Sequence, residues 1–226
     1  AIDVLSVSLS ATDYVGHAYG HEGLEMCIQL AELDKTIGRL LAHLDSRGIN
    51  YAVVLSADHG GIDAPERLRE QANPSAARVD FSLSLGALAK AVTASTGIAA
   101  VSGPLLYGEG AGGDIYISDG LSGAEKARIS TALVQALKAH SQIAAVFTAK
   151  ELAEAPAPVG SPDMWSLRDR ARASFDGARS GDVVALLERG VVAVADPGAG
   201  YVSTHGSPWD YDRRVPILFW WKGVAP

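Results

Sequence analysis

The stretch Tyr51-Ala-Val-Val-Leu-Ser-Ala-Asp-His-Gly60 decides the fold that this sequence predicts. Its first six residues form a short run rich in apolar and β-branched side chains, which is typical of a strand buried in a sheet. Polar residues and a glycine follow at once, as expected of a loop at the end of such a strand. The segment therefore predicts a buried strand over 51–56 that ends in a polar group containing Asp58 and His59.

A long amphipathic helix precedes this strand, and a second apolar segment precedes the helix. From Glu22 to Ser46, apolar residues recur every three or four positions. Residues 2–9 are again short, apolar and β-branched, so we expect another buried strand there. Strand, helix and strand over residues 2–56 make a βαβ unit, which favours a parallel sheet. We therefore expect an α/β fold with a mostly parallel central sheet and helices on both faces.

Later segments supply further elements of this fold. Two capping boxes, Ser122 with Glu125 and Thr148 with Glu151, predict the starts of two helices. The first helix is expected to run to about residue 140. Apolar runs over 114–118 and 143–147 predict strands on either side of it.

The composition excludes several classes of protein. The chain has 226 residues, of which 48% are hydrophobic and 20% charged, values that argue against a mainly disordered chain. Its formal net charge of −7 argues against a nucleic-acid-binding protein, which usually carries a basic face. No apolar run reaches the ~18–20 residues that span a bilayer. The single cysteine, Cys27, cannot form an internal disulfide and does not indicate the compartment.

Histidine and aspartate occur together in three polar segments. The first, Asp13 to His17, lies in residues 10–20, which we expect to be a turn-rich loop; the others are Asp58-His59 and the surroundings of His205. Neutral imidazole and carboxylate are ligands that zinc uses at catalytic sites. The first two segments follow the two strands of the βαβ unit, so we expect them at one edge of the sheet. Two such groups suggest two metal ions, an arrangement suited to phosphoryl transfer.

An ordinary structural interpretation has to be weighed for each histidine. An isolated Asp-His pair on a loop is usually a surface feature, and only the occurrence of three groups favours a metal site. His21 is interpreted as a residue at the start of a helix. His43 and His140 fall late in predicted helices, where a partial positive charge is favourable.

Together these segments resemble the alkaline phosphatase superfamily, and within it the nucleotide pyrophosphatase/phosphodiesterase-like branch. More narrowly, the sequence is similar to monomeric bacterial alkaline phosphatases with a threonine nucleophile. The resemblance is carried by five segments: 10–17, 55–60, 179–182, 204–208 and 211–219. Their order and spacing match the C-terminal half of the family. The resemblance thus implies that residues 1–226 are the C-terminal metal-binding portion of an alkaline phosphatase-like domain, without its N-terminal portion.

The resemblance also implies a set of site residues. Two zinc ions are expected: Asp13, His17 and His205 would hold one, and Asp58 and His59 the other. In the family, an aspartate and the nucleophilic threonine complete the second ion, and both precede everything in this sequence. No catalytic residue is therefore assigned here, and Thr12, although it is next to Asp13, is not expected to be the nucleophile. Residues 179–182 are expected to be structural.

The function implied by the resemblance is metal-dependent hydrolysis of phosphate monoesters through two zinc ions and a phosphoryl-enzyme intermediate. Two alternatives stay open: a phosphodiesterase or nucleotide pyrophosphatase of the same superfamily, and a non-catalytic metal-binding fragment. The expected partners are small phosphate esters and the missing N-terminal portion of the same protein, with neither nucleic acid nor membrane. The resemblance implies a periplasmic or extracellular location, on which the composition is silent.

Overall fold

The computed structural model describes residues 3–71, 73–108 and 110–223 of the chain. Two helices, α1 (Ala11–Tyr19) and α2 (Leu24–Ser46), precede strand β1 (Ala52–Ser56). The helix predicted over 22–46 is confirmed, and so is a strand within 51–56, but the predicted burial of that strand is wrong, because most of its residues are exposed. None of the helices in the described ranges is both long enough and apolar enough to cross a membrane.

The other helices and strands follow a single chain order. They are α3 (Pro65–Glu70), β2 (Ala77–Arg78), α4 (Leu85–Thr96), β3 (Leu106–Gly108), β4 (Asp114–Ile117), α5 (Gly123–Lys138), β5 (Ile143–Thr148), α6 (Ala149–Glu154), α7 (Leu167–Ser174), β6 (Val183–Leu187), β7 (Val191–Val192), α8 (Asp210–Arg213) and β8 (Ile217–Trp221). Both predicted capping boxes are present, at the starts of α5 and α6. The strands predicted over 114–118 and 143–147 are confirmed as β4 and β5.

The strands form three small sheets of mixed direction. The largest has the order β3-β4-β6-β5, with every neighbouring pair antiparallel. β1 pairs antiparallel with β8, and β2 pairs parallel with β7. The α/β class is confirmed, but the mostly parallel pairing is not found among the described strands. A physical reason is clearest at β3 and β4, because a connection of a few residues can join antiparallel strands only.

The principal core lies between the largest sheet and two helices. Leu88 and Val92 of α4 pack with Leu133 of α5 against the sheet residues Ile115 and Val183. On the other side of β6, Leu186 packs with residues of α6 and α7, namely Leu152 and Ala171. Successive residues of a strand point to opposite faces, so these two clusters place helices on both faces of this sheet, as expected.

The strand predicted over residues 2–9 is wrong for the part that the structure describes. Residues 3–9 have no strand conformation, and Ile2 lies outside the described residues. The side chain of Val4 is 91% exposed, and Leu5 and Val7 are also exposed. A β-strand is stabilised by hydrogen bonds to a neighbouring strand, and no described strand pairs with this segment. The apolar sequence alone is therefore not sufficient for a strand here.

The sheet formed by β1 and β8 exposes apolar side chains on both of its faces. Val54 and Leu55 are neighbours in β1 and point to opposite sides, yet both are exposed. In β8 all residues of the strand are exposed, including Phe219 and Trp220. A two-stranded sheet is at best marginally stable in water by itself, and contiguous apolar surface of this kind usually marks an interaction site.

Leu133 allows a test of where the stabilising core lies. Its side chain is 0% exposed in the middle of α5, so Leu133→Ala should lower the free energy of unfolding by about 2–5 kcal/mol. Met164→Ala is a suitable control because Met164 is 85% exposed, and its effect should stay within about 0.5 kcal/mol. Urea unfolding followed by circular dichroism measures both. Equal effects of the two substitutions on the free energy of unfolding would contradict the assignment of Leu133 to the stabilising core.

Candidate metal centre

Helix α1 brings the first two predicted ligands together. Asp13 and His17 are four residues apart, so they lie on the same face of the helix, with Asp13 Oδ1 3.5 Å from His17 Nε2. The loop expected over 10–20 is therefore wrong for residues 11–19, which are helical. Gly16 lies inside the helix and is buried against the His21 imidazole, where a Cβ atom would collide with the ring. The helix ends at Gly20, whose φ of 84° suits glycine.

His205 reaches the same point from a loop that follows β7. Its Nε2 lies 3.5 Å from Asp13 Oδ1, and one ligand atom from each of Asp13, His17 and His205 lies within 4.8 Å of the others. The ring of Tyr201 packs edge-on against the His17 ring, with centroids 4.8 Å apart. These three predicted ligands thus form one cluster, in which every member is half-buried.

His59 is the third imidazole that lies close to Asp13. Its Nε2 lies 3.9 Å from Asp13 Oδ1, and its ring stacks on that of His205 with centroids 3.4 Å apart. Asp58 is at the edge of the cluster: its Oδ2 is 3.6 Å from His59 Nε2, while its side chain is 89% exposed. Among the described residues, only Asp13, His17 and His205 form a set of three possible ligands. Asp58 and His59 therefore form a pair.

Hydrogen bonds to main-chain oxygens set the orientation of two of these rings. Nδ1 of His17 lies 2.9 Å from the carbonyl oxygen of Ser203, and Nδ1 of His59 lies 2.8 Å from that of Gly60. Since a carbonyl oxygen can only accept, Nδ1 must carry the proton in each ring. When the ring is neutral, as a metal ligand must be, the lone pair is then on Nε2, the atom that faces Asp13. This is how ligand histidines are usually held at metal sites.

Burial makes one of the imidazoles favour its neutral form. Desolvation is the largest influence on His205 and lowers the pKa of its ring, and the nearby His59 lowers it further. A metal ligand must be the neutral imidazole, so a lowered pKa suits this role. One carboxylate with two imidazoles, as in Asp13, His17 and His205, is also a donor set that zinc accepts. The residues present therefore fit a zinc-type divalent ion.

A buried main-chain oxygen connects the loops that carry His59 and His205. The carbonyl oxygen of Ile62 accepts a hydrogen bond from the Ser203 hydroxyl and lies 2.7 Å from His21 Nδ1. Ser203 is 0% exposed, and its carbonyl oxygen in turn faces His17. Next to Ile62, Asp63 is buried and accepts hydrogen bonds from Arg67 and from the main-chain N–H of His21. His21, predicted to be an ordinary helix-start residue, is thus a supporting residue of the centre.

A second connection passes through Asp212, which the sequence offered only as part of a resemblance motif. The main-chain N–H of Gly60 donates to the Asp212 carbonyl oxygen at 2.8 Å, and the N–H of Ser207 donates to its carboxylate at 2.7 Å. Ser203 and Asp212 were not predicted as functional residues. Their proximity to polar segments in the sequence was the available signal, but neither residue type is distinctive by itself.

Residues 179–182, expected to be structural, are held against β4 by hydrogen bonds. The main-chain N–H of Gly181 donates to Asp114, and Asp182 accepts a hydrogen bond from the N–H of Ile117 at 2.7 Å. The hydroxyl of Tyr116 donates to the carbonyl oxygen of Arg179. These contacts fasten the segment to β4 in the largest sheet. Thr12 accepts a long hydrogen bond, 3.4 Å, from Gln29 of α2.

Comparisons with known proteins agree in pointing to one family. The family model of type I phosphodiesterase/nucleotide pyrophosphatase matches residues 1–208. The chain is 48% identical to alkaline phosphatase PhoK from Sphingomonas sp. over 98% of its length, which is 40% of PhoK. It is 50% identical to alkaline phosphatase PhoD from Zymomonas mobilis over 97% of its length and 38% of PhoD.

A solved structure shows the same fold. Wild-type alkaline phosphatase PafA matches 93% of this chain and 38% of its own, with a TM-score of 0.74 and 21% sequence identity. The chain therefore spans about 40% of the length of the curated relatives it matches.

His17 and His205 allow a direct test of the centre. Replacing either with alanine removes one ligand, so His17→Ala and His205→Ala should each weaken Zn²⁺ binding by about 100-fold or more, beyond the 10–100-fold typical of outer-shell changes. His43→Ala is a matched control, because His43 is exposed near the end of α2 and should bind Zn²⁺ normally. Competition against a chromophoric chelator measures the affinity. Unchanged affinity in both ligand variants would contradict the assignment.

Proposed function

The chain belongs to the type I phosphodiesterase/nucleotide pyrophosphatase family, and from this premise we propose that its protein hydrolyses phosphate monoesters with the help of two zinc ions. The observation that carries the proposal is the meeting of Asp13, His17, His59 and His205 within a few ångströms. Relatives that cover nearly the whole chain are named alkaline phosphatases, which supports the same activity. The proposed substrates are small phosphate esters.

We propose further that residues 1–226 are the C-terminal metal-binding portion of an alkaline phosphatase-like domain. The chain's coverage of about 40% of its relatives supports this, as does the exposed apolar surface of β1 and β8. The N-terminal portion is proposed to supply the nucleophile and the remaining ligands for the ion that Asp58 and His59 would hold. It would therefore also be the principal partner of this chain. A periplasmic or extracellular location is part of the same proposal.

The chemistry proposed for this chain's residues follows from their charge. Asp13, His17 and His205 would hold one ion and Asp58 with His59 the other; when bound, the ions supply positive charge that stabilises a phosphate ester and activates a hydroxyl nucleophile. The protein is net negative, so an anionic ester is not attracted by its overall charge. The neutral imidazoles contribute ligands without adding negative charge. The Nε2 atoms of His17, His59 and His205 all lie within 3.9 Å of Asp13 Oδ1, so the donor atoms of the proposed ligands are already gathered at one point.

In the proposed reaction, the nucleophile outside this chain attacks phosphorus and the ester oxygen leaves. A phosphoryl-enzyme intermediate then forms, and water hydrolyses it to inorganic phosphate. The exposed side of Asp58 leaves the cluster open to solvent at that edge, where a substrate could enter.

Phosphodiester hydrolysis is the second candidate, favoured by the name of the matching family model. A third candidate is a non-catalytic metal-binding fragment, favoured by the two-residue set at Asp58 and His59. The residues that contact phosphate would separate monoester from diester hydrolysis, and we propose that they lie in the N-terminal portion. Turnover of the two ester classes by the complete protein distinguishes the first two candidates, and robust turnover by residues 1–226 alone would exclude the third.

The complete protein should hydrolyse p-nitrophenyl phosphate faster than bis-p-nitrophenyl phosphate in the presence of Zn²⁺. Excess EDTA should abolish the activity, and added Zn²⁺ should restore it, because the histidine cluster would lose and regain its ions. Both esters release the same coloured product, p-nitrophenolate, so its absorbance follows both reactions. Preference for the diester would favour the second candidate, and activity that persists in EDTA would exclude metal dependence.

A further inference from the structure

Asp212 is a buried carboxylate at the junction of the two loops that carry His59 and His205. It is 5% exposed, and its main chain and side chain bind different loops. Its carbonyl oxygen accepts the N–H of Gly60, next to His59, and its Oδ2 accepts the N–H of Ser207, two residues after His205. A Cβ atom on Gly60 would collide with the carbonyl oxygen of Tyr211, so the contact between these segments is close.

One oxygen of the Asp212 carboxylate takes part in none of the hydrogen bonds described so far. Oδ1 of Asp212 is buried and has no hydrogen-bond partner among the described residues. A buried acceptor without a partner is costly, since it has lost its hydrogen bonds to water. We therefore expect Asp212 Oδ1 to accept a hydrogen bond from a nearby donor when the metal centre is occupied.

His205 is the ring that needs such an acceptor. His17 and His59 both direct Nε2 toward Asp13 and place Nδ1 against a main-chain oxygen. His205 likewise has Nε2 facing Asp13, so its Nδ1 is on the opposite side of the ring. Burial is the main influence on both side chains, raising the pKa of Asp212 and lowering that of His205, and each charge acts on the other group against that burial. Both side chains also line one small cavity, and Ser207, whose N–H binds Asp212 Oδ2, is two residues after His205, so the two groups are near neighbours.

We propose that Asp212 is a positioning residue for His205: its Oδ1 accepts the Nδ1 proton of His205, directly or through one water, and so directs Nε2 to the metal ion. The inference rests on the proposed metal centre. Carboxylates commonly orient ligand histidines in this way, and they make the imidazole a stronger ligand. Through the Gly60 contact, the same residue also fixes the distance between the His59 and His205 loops.

Zinc affinity of the Asp212→Asn variant tests the proposal in the complete protein. The amide retains one oxygen for the Ser207 N–H but replaces the other with an NH₂ group, which cannot accept the His205 proton. Affinity for one of the two zinc equivalents should fall by about 10–100-fold, measured by chelator competition. The visible spectrum of the Co²⁺-substituted protein should change as well, because the geometry at His205 changes.

Asp182→Asn is the matched control for this substitution. Asp182 also accepts a main-chain N–H at 2.7 Å, from Ile117, but it lies in the largest sheet and not at the centre. Its variant should bind zinc with unchanged affinity. Thermal unfolding of the metal-free proteins shows whether either variant has lost its fold.

A second measurement needs no variant at Asp212. In the zinc-loaded protein, the long-range ¹H–¹⁵N spectrum should show a protonated Nδ1 for His205, and a deprotonated Nδ1 would overturn the proposal. Unchanged zinc affinity in Asp212→Asn would overturn it too, while leaving the proposed function intact. Failure of the unsubstituted protein to bind zinc would instead remove the proposed metal centre itself.

Discussion

Three imidazole rings converge on one carboxylate oxygen, and many of the surrounding contacts hold these four side chains in place. The Nε2 atoms of His17, His59 and His205 lie 3.5, 3.9 and 3.5 Å from Asp13 Oδ1. These residues come from α1 and from two loops that are far apart in the chain. Bringing them together requires main-chain segments to pack without long side chains between them. The contacts that allow this are hydrogen bonds to buried carbonyl oxygens and glycines where backbones nearly touch.

His21 shows how closely these segments approach each other. Its imidazole lies against both Gly16 of α1 and Gly61 of the loop after His59, and a Cβ atom on either glycine would collide with the ring. The same ring faces the carbonyl oxygen of Ile62, which also accepts the hydroxyl of Ser203. One side chain thus sets the spacing between α1 and the His59 loop. This explains why a histidine outside the predicted ligand set is half-buried beside it.

Local sequence patterns predicted the elements whose stability is mostly local. The capping box at Ser122 and the apolar periodicity of α2 depend on neighbours within a few residues, and both predictions are confirmed. Residues 3–9 carry the pattern of a strand, but a strand also needs a pairing partner, which a local pattern cannot supply. α1 was missed for a related reason: Gly16 and Gly20 suggest a loop locally, and the packing of Gly16 against His21 is a contact that a local pattern does not show.

In the candidate site, too, the features that local sequence shows were predicted, and those that depend on long-range contacts were not. Asp13, Asp58 and the three histidines could be proposed as ligands because the chain has only 6 histidines and three of them occur in polar segments that also contain an aspartate. Their support was not predictable, since Ser203 and Asp212 act through long-range contacts with Ile62 and Gly60. A serine or an aspartate in a polar loop has the same appearance in sequence whether it is solvated or buried. The assignment of metal ligands stays a prediction, with the geometry in its favour.

The contacts of α8 and β8 have a consequence for how the protein forms during synthesis. A ribosome releases the chain from its N terminus, so α1 and the His59 loop emerge long before the last elements. The hydrogen bond from Gly60 needs residue 212, and β1 gains its described partner only when residues 217–221 pair with it. Until then, β1 has an open edge that other strands could join. Completion of the centre is therefore a late step, and a nascent chain stalled before residue 205 would lack one of its three clustered imidazoles.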